Sequence, residues 1–98
     1  MEITKTQEGS TLNLTLIGRL DTVTSPQLQD VLDDSTENAS SLILDFAQLD
    51  YVSSAGLRIL LAANKRFSKT GTMTIRHVND VVKEVFDMTG FSDILNIE

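Results

Sequence analysis

The segment from residue 41 to residue 69 passes directly from an apolar strand pattern into a strongly amphipathic helix pattern. Its first part, residues 42–46, is a short apolar run bounded by polar stretches, and this predicts a central strand that is buried on both faces. From about Ser54 to Lys69, apolar residues recur at the spacing of one helix face, while basic residues crowd the opposite face. A buried strand followed by a half-buried helix predicts an α/β fold.

Further strand patterns flank this segment. Residues 11–17 alternate polar and apolar side chains, as in a strand with one buried face, and residues 3–6 are expected to pair with them. Residues 72–77 alternate again, and residues 91–97 are expected to close the core as a short turn or strand. Together with the central strand, these segments predict a mixed sheet of four or five strands.

Two further helices are marked by their end signals. Thr24 is expected to cap the first, because Pro26 lies in the first turn and Gln27 follows three residues after the threonine. Asn79 is expected to cap the last helix, and Gly90 to end it. The prediction is a single-domain α/β sandwich over residues 1–98, with helices packed against the sheet. The predicted core comprises Leu14, Leu16, Leu28, Leu32, Ile43, Leu57, Leu61, Ile75, Val82 and Phe86.

Composition excludes several classes of function. The chain has 98 residues, no cysteine and one histidine, so neither a disulfide framework nor an ordinary zinc site is expected. A formal charge of -6 argues against nucleic-acid binding and favours protein partners. The longest apolar run, residues 59–63, is too short to cross a membrane, and the N-terminus lacks the apolar block of a secretory signal, so we expect a cytoplasmic protein.

Charged residues are segregated between the predicted helices. Those of the first helix region are the acids Asp30, Asp33, Asp34 and Glu37, and those of the second are the bases Arg58, Lys65, Arg66 and Lys69. Bases near the end of the second helix complement the negative end of its own dipole. The alternative is a docking surface for a partner of opposite charge pattern. The sequence allows both interpretations.

Ser53 and Ser54 lie where the central strand gives way to the second helix. Serine is among the best N-caps, so one of the two is expected to hold the helix start. One serine suffices for a cap, and the next turn contains no acid, so a phosphate at this point would meet free N–H groups and the positive end of the helix dipole. The pair is therefore either purely structural or a cap beside a phosphate acceptor.

Other chemistry has little support in the sequence. The residues around Ser54 do not form a G-x-S-x-G elbow, and the one imidazole, His77, lies on a separate strand, where a packing or edge role is expected. The five glycines are too widely spaced for a nucleotide-binding loop. Asp21 follows a strand and is either a turn-forming or a contact residue. We expect no enzyme activity, no cofactor and no metal site.

Four motifs follow one another along essentially the whole chain: Gly18-Arg19-Leu20-Asp21, Leu42-Ile43-Leu44-Asp45-Phe46, Tyr51-Val52-Ser53-Ser54-Ala55-Gly56-Leu57 and Val85-Phe86-Asp87-Met88-Thr89-Gly90-Phe91. Their order and spacing resemble the anti-sigma factor antagonists, the bacterial members of the STAS family. The resemblance implies a STAS domain over residues 1–98. Several members of that family carry aspartate at the position of Ser53 and serine or threonine at that of Ala55.

The resemblance also implies a function. In this family the serine two residues before the Gly-Leu pair, here Ser54, is phosphorylated by a partner that is both anti-sigma factor and serine kinase, and a PP2C-type phosphatase removes the phosphate. The unphosphorylated form captures the kinase and frees a sigma factor, and the phosphorylated form releases the kinase. Ser53 is the less favoured acceptor. The implied partner-binding residues are Asp21, Ser53, Ser54, Gly56 and Arg58, on a monomer or weak dimer that does not bind membranes.

Two alternatives from other classes stay open at this point. One is a scaffold or regulatory subunit of a larger assembly that uses the same fold without phosphorylation. The other is a small-ligand sensor, although the sequence contains no phosphate-binding loop. A histidine-kinase-like ATPase encoded beside this gene would favour the phosphorylation switch, because a scaffold has no need of one.

Overall fold

The five strands of the protein follow their chain order across one mixed sheet. The computed structural model describes residues 1–35 and 39–98. The strands are β1 (Glu2–Glu8), β2 (Thr11–Leu20), β3 (Ser41–Val52), β4 (Met73–Arg76) and β5 (Asn96–Ile97). β1 pairs antiparallel with β2, and the remaining neighbours are parallel. The predicted mixed sheet is confirmed with five strands.

Each parallel connection contains a helix, as the geometry of parallel strands requires. The helices are α1 (Ser25–Ser35), α2 (Ser54–Phe67) and α3 (Asp80–Thr89), and a short 3₁₀ helix at Phe91–Asp93 leads into β5. Since crossovers in parallel sheets are right-handed and the strands keep their chain order, all three helices lie on the same face of the sheet. The other face carries no helix from the described residues.

This one-sided arrangement overturns the prediction that the central strand is buried on both faces. In β3, Leu42, Leu44 and Phe46 are fully buried against the helices, whereas Ile43 and Asp45 on the opposite face are only half-buried. The strand is also longer than its apolar run, because it continues beside β2 as far as Val52.

The predicted core is confirmed except at two positions. Ile43 and Leu61 are half-buried, since one lies on the open face of the sheet and the other on the flank of α2. The phenyl rings of Phe46 and Phe86 join β3 to α3, with centroids 6.4 Å apart. The buried residues outside that core list include Leu12, Leu20, Leu42, Leu44, Phe46, Leu49, Val52, Leu60, Phe67, Met73 and Leu95.

Two of the three residues predicted to mark helix ends, Asn79 and Gly90, have the predicted role. The Asn79 side chain accepts a hydrogen bond from the Val82 N–H at 2.8 Å, and Gly90 ends α3 in the left-handed conformation with φ 81°. Thr24 does precede α1, but its hydroxyl accepts from the Asp21 N–H at 2.9 Å and donates to the Arg19 carbonyl at 2.7 Å. Thr24 therefore fastens the loop before the helix.

Candidate functional site

Ser53 is the residue that caps α2. Its backbone is extended, with φ -90° and ψ 174°, and its hydroxyl oxygen accepts a hydrogen bond from the Gly56 N–H at 3.3 Å. Its N–H donates to the Leu20 carbonyl at 2.8 Å, and its own carbonyl accepts the first helical bond from the Leu57 N–H at 2.9 Å. The start of α2 is thereby fixed to the end of β2.

Ser54 is the first residue of α2, and it is exposed. Its hydroxyl has no hydrogen-bond partner among residues 1–35 and 39–98. The first turn of the helix contains no acidic residue, so the free N–H groups and the helix dipole are not complemented by a carboxylate there. The structure thus separates the two serines into a cap and an accessible hydroxyl.

Gly56 allows α2 to start directly against β2. A Cβ atom at this position would lie 2.8 Å from the Leu20 Cγ and 3.1 Å from the Leu20 carbonyl oxygen. Since Leu20 is fully buried, its side chain has little room to move. Gly56 therefore permits a close approach of the α2 backbone to Leu20.

Asp21 is a turn-forming residue at the same end of the sheet. It follows Leu20, whose Cα pairs with that of Val52, so it lies beside the chain that leads into α2. Its Oδ1 accepts hydrogen bonds from the N–H groups of Val23 at 3.0 Å and Thr24 at 3.1 Å. The Thr24 N–H is the main cause that lowers the pKa of the Asp21 carboxyl, with smaller help from the Thr24 hydroxyl, Val23 and Arg19 against a partial desolvation. Asp21 therefore stays ionised at neutral pH.

Arg19 and Tyr51 form a pair that the sequence analysis did not predict. The guanidinium lies over the tyrosine ring, 5.0 Å from its centroid, and its Nε is 3.9 Å from Asp21 Oδ2. The two residues are Cα partners because the register of β2 and β3 shifts twice, between Thr15 and Ile17 and between Gly18 and Arg19. The local alternation of polar and apolar residues does not indicate a register shift, so the sequence could not predict this pairing.

A surface groove of about 420 Å³ lies between the starts of α1 and α2. Its lining residues are Thr22, Ser25, Pro26, Gln29, Ala55, Arg58 and Ile59. The groove begins one residue beyond Ser54 and has Arg58 as its one charged lining residue. It was not predicted, because it depends on how two helices pack side by side.

The segregated charges of α1 and α2 partly neutralise each other. Arg66 donates from Nη1 and Nη2 to Asp33 Oδ1, at 3.2 and 3.3 Å, and so joins the two helices. Both side chains are about half exposed, so this ion pair contributes at most about 1 kcal/mol. Asp30 and Asp34 are exposed on α1, and Glu37 lies outside the described residues.

His77 is exposed, so of the packing and edge roles expected for it the packing role is wrong. It stands just after β4 with φ 60°, and its Nδ1 lies 3.0 Å from Asp45 Oδ1. Burial acts to raise the pKa of Asp45, but the Ala47 N–H and His77 outweigh it, so that pKa is lowered. His77 lies at the end of β4, which pairs with β3 only as far as Asp45, whereas β3 continues to Val52 before Ser54.

Within the described residues, no group of three or more histidine, aspartate or glutamate side chains is placed to hold a metal ion. None of the helices described is both long and apolar enough to span a bilayer. The candidate site is the edge formed by the ends of β2 and β3 and the start of α2, where Asp21, Ser53 and Ser54 lie.

Comparison with known proteins identifies the family of the chain and agrees with the fold described above. The STAS domain family matches residues 2–98. The chain is 37% identical over 57 residues to BtrV of Bordetella bronchiseptica, a protein named as an anti-sigma factor antagonist, and this match spans 57% of the chain and 49% of that relative. It is 24% identical over 92 residues to the anti-sigma-B factor antagonist of Bacillus subtilis, covering 93% of the chain and 84% of the relative.

Two solved structures are similar over nearly the whole chain. An anti-sigma factor antagonist from Mycobacterium paratuberculosis superposes with a TM-score of 0.88 at 18% identity, covering 98% of this chain and 83% of that one. The phosphorylated form of the Bacillus cell fate determinant SpoIIAA superposes with a TM-score of 0.77 at 16% identity, covering 99% and 91%. At such low sequence identity, these similarities show only that the fold is shared.

The fold and the site define a small α/β domain that presents an accessible serine at the start of a helix beside the ends of two parallel strands. The family match over residues 2–98 makes the assignment specific: the chain belongs to the STAS domain family.

Proposed function

We propose that this protein is an anti-sigma factor antagonist whose capture of an anti-sigma factor is switched by phosphorylation of Ser54. The observation that carries the proposal is that the two serines have different positions in the structure. Ser53 caps α2, and Ser54 is exposed at the first position of the helix. The partner is an anti-sigma factor with serine kinase activity, and a PP2C-type phosphatase reverses the modification. The protein itself catalyses neither step.

Ser54 is the better acceptor because its modification leaves the fold intact. A phosphate on Ser53 would turn the hydroxyl oxygen that accepts from the Gly56 N–H into an ester oxygen, a poorer acceptor, at the point where α2 is tied to Leu20. A phosphate on Ser54 breaks no hydrogen bond among the described residues. The charge it adds is favoured by the start of the helix.

Release of the partner follows from the charge that the phosphate brings. Phosphorylation adds about 1.5 to 2 negative charges at neutral pH. Asp21, which is ionised, lies at the same end of the sheet. An interface that fits the neutral Ser54 hydroxyl would have to close over an unmatched dianion, and each ~1.4 kcal/mol of that cost weakens binding tenfold.

The partner-facing surface comprises Asp21, Ser53, Ser54, Gly56 and Arg58. Three of these have a structural task as well, because Asp21 forms the loop, Ser53 caps the helix and Gly56 permits the close approach. The groove beside Arg58 extends this surface towards α1. The names of BtrV and the Bacillus subtilis relative, and the solved phosphorylated form of SpoIIAA, support the same function.

Phosphopeptide mapping tests the acceptor. The protein is incubated with a cognate anti-sigma factor kinase and ATP, and one phosphate is expected on Ser54. Ser54→Ala should abolish the modification, while the matched variant Ser53→Ala should retain most of it. Phosphate found mainly on Ser53, or no transfer by any kinase that binds the chain, would contradict the proposal.

A further inference from the structure

We propose that Arg58 is the intramolecular phosphate ligand of this switch, so that its guanidinium pairs with the phosphate on Ser54 of the same chain. The inference rests on the proposed function for its biological meaning. The inference itself concerns a contact between phosphorylated Ser54 and Arg58, both on α2, and this contact can be measured without any kinase.

The helix geometry brings the two side chains together. Ser54 and Arg58 are four residues apart on α2, which places them on adjacent turns of one face. Side chains on a helix lean towards its N-terminus, so Arg58 extends back over the turn that contains Ser54 and Ala55. Arg58 also lines the groove with Ala55, the residue next to Ser54, and with Pro26 at the start of α1.

Arg58 is available for this contact. It is exposed, and the ion pairs among the described residues occupy other bases, namely Arg19, Arg66, Arg76, His77 and Lys83. It is also the only charged residue in the first eight positions of α2, from Ser54 to Leu61. A phosphate on Ser54 would thus have one cation within reach on its own helix, and guanidinium binds phosphate oxygens in a bidentate manner.

The other charges near the site do not offer an equivalent partner. Asp21 is negative and repels a phosphate. Arg19 is engaged with Tyr51 on the neighbouring strand and with Asp21 in the loop after β2. Pro26, Gln29 and Ser25, which face Arg58 from α1, carry no charge.

The contact gives phosphorylation a second effect on the surface. Without phosphate, Arg58 presents a free positive charge at the rim of the groove. With phosphate, that charge is paired within the chain and withdrawn from any acidic group of the partner. One modification therefore adds a negative charge and removes a positive one from the same surface.

The test uses protein with phosphoserine incorporated at position 54 during translation, and follows the phosphate by ³¹P NMR as a function of pH. In Arg58→Gln the second pKa of the phosphate should rise by about 0.2 to 0.7 unit relative to the parent, the range that an exposed ion pair produces. Arg58→Lys should restore part of the difference, and high salt should reduce it. Lys65→Gln, which removes a positive charge farther along α2, is the matched control and should leave the phosphate pKa unchanged.

Equal phosphate pKa values in the parent and Arg58→Gln would overturn the inference, as would an equal rise in Lys65→Gln, since that would indicate only the net charge of the helix. Either result leaves kinase-dependent phosphorylation of Ser54 untouched. Conversely, if the kinase never modified Ser54, the proposed function would be wrong, but the measured contact between the Ser54 phosphate and Arg58 would remain valid.

Discussion

A Cβ atom on Gly56 would lie 2.8 Å from the Leu20 Cγ, so the first turn of α2 touches the last residue of β2 with no room for a side chain. Leu20 also accepts the hydrogen bond from the Ser53 N–H at 2.8 Å. The accessible serine is therefore flanked by two contacts with Leu20, one from Ser53 and one from Gly56. This rigidity explains how a site made of a single hydroxyl can be presented in one defined place.

Gly56→Ala should accordingly destabilise the protein. Alanine favours helices over glycine by up to about 1 kcal/mol, but the overlap with Leu20 is expected to outweigh this gain and to give a net loss of about 1 to 3 kcal/mol. Urea denaturation measures the change, with Ser54→Ala as the control at an exposed position of the same turn. Unchanged or increased stability of Gly56→Ala would show that the helix start can shift.

The cap should be visible in the stability of the two serine variants. Ser53→Ala removes the acceptor of the Gly56 N–H and is expected to cost about 1 kcal/mol. Ser54→Ala removes an exposed hydroxyl and should change the free energy of unfolding by less than about 0.5 kcal/mol. If thermal or urea denaturation gave the reverse order, Ser54 would be the cap.

Two adjacent leucines of α2 test the position of the core. Leu60 is fully buried, whereas Leu61 is half-buried on the flank of the helix. Leu60→Ala should cost about 2 to 5 kcal/mol, and Leu61→Ala clearly less. Equal losses in denaturant titrations would mean that α2 is rotated relative to the structure described.

Acid should weaken the loop that carries Asp21. The Thr24 N–H holds the folded-state pKa of Asp21 below its unfolded value, so the stabilisation is present above the unfolded pKa and is lost as the pH falls through the folded pKa. Asp21→Asn lacks this titration. The stability gap between the parent and Asp21→Asn should therefore narrow as the pH is lowered from about 6 to about 2, whereas a pH-independent gap would contradict the assignment. Asp34→Asn, which removes one charge from α1, controls for net charge.

The sequence predicted the order of the elements, and their type outside residues 91–97, because most have a clear period or end signal, such as the alternation in β2 and the Asn79 cap of α3. It misjudged the two-sided burial of β3, because a local apolar run does not reveal how many layers of helix cover a strand. The sequence also left open which serine caps α2, since the two candidates are adjacent and of the same residue type. The Arg19–Tyr51 pair and the groove depend on strand register and helix packing, which arise only in the folded chain.

The most direct test of the switch is calorimetric titration of the anti-sigma factor kinase with three forms of the protein: parent, Ser54→Asp and the form phosphorylated on Ser54. Circular dichroism and melting temperature should be nearly the same for all three, because the modified position is exposed and breaks no described hydrogen bond. We predict that Ser54→Asp and the phosphorylated form bind at least about tenfold more weakly than the parent, a difference of ~1.4 kcal/mol or more. Equal affinities for the three forms would contradict it and leave the scaffold interpretation in its place.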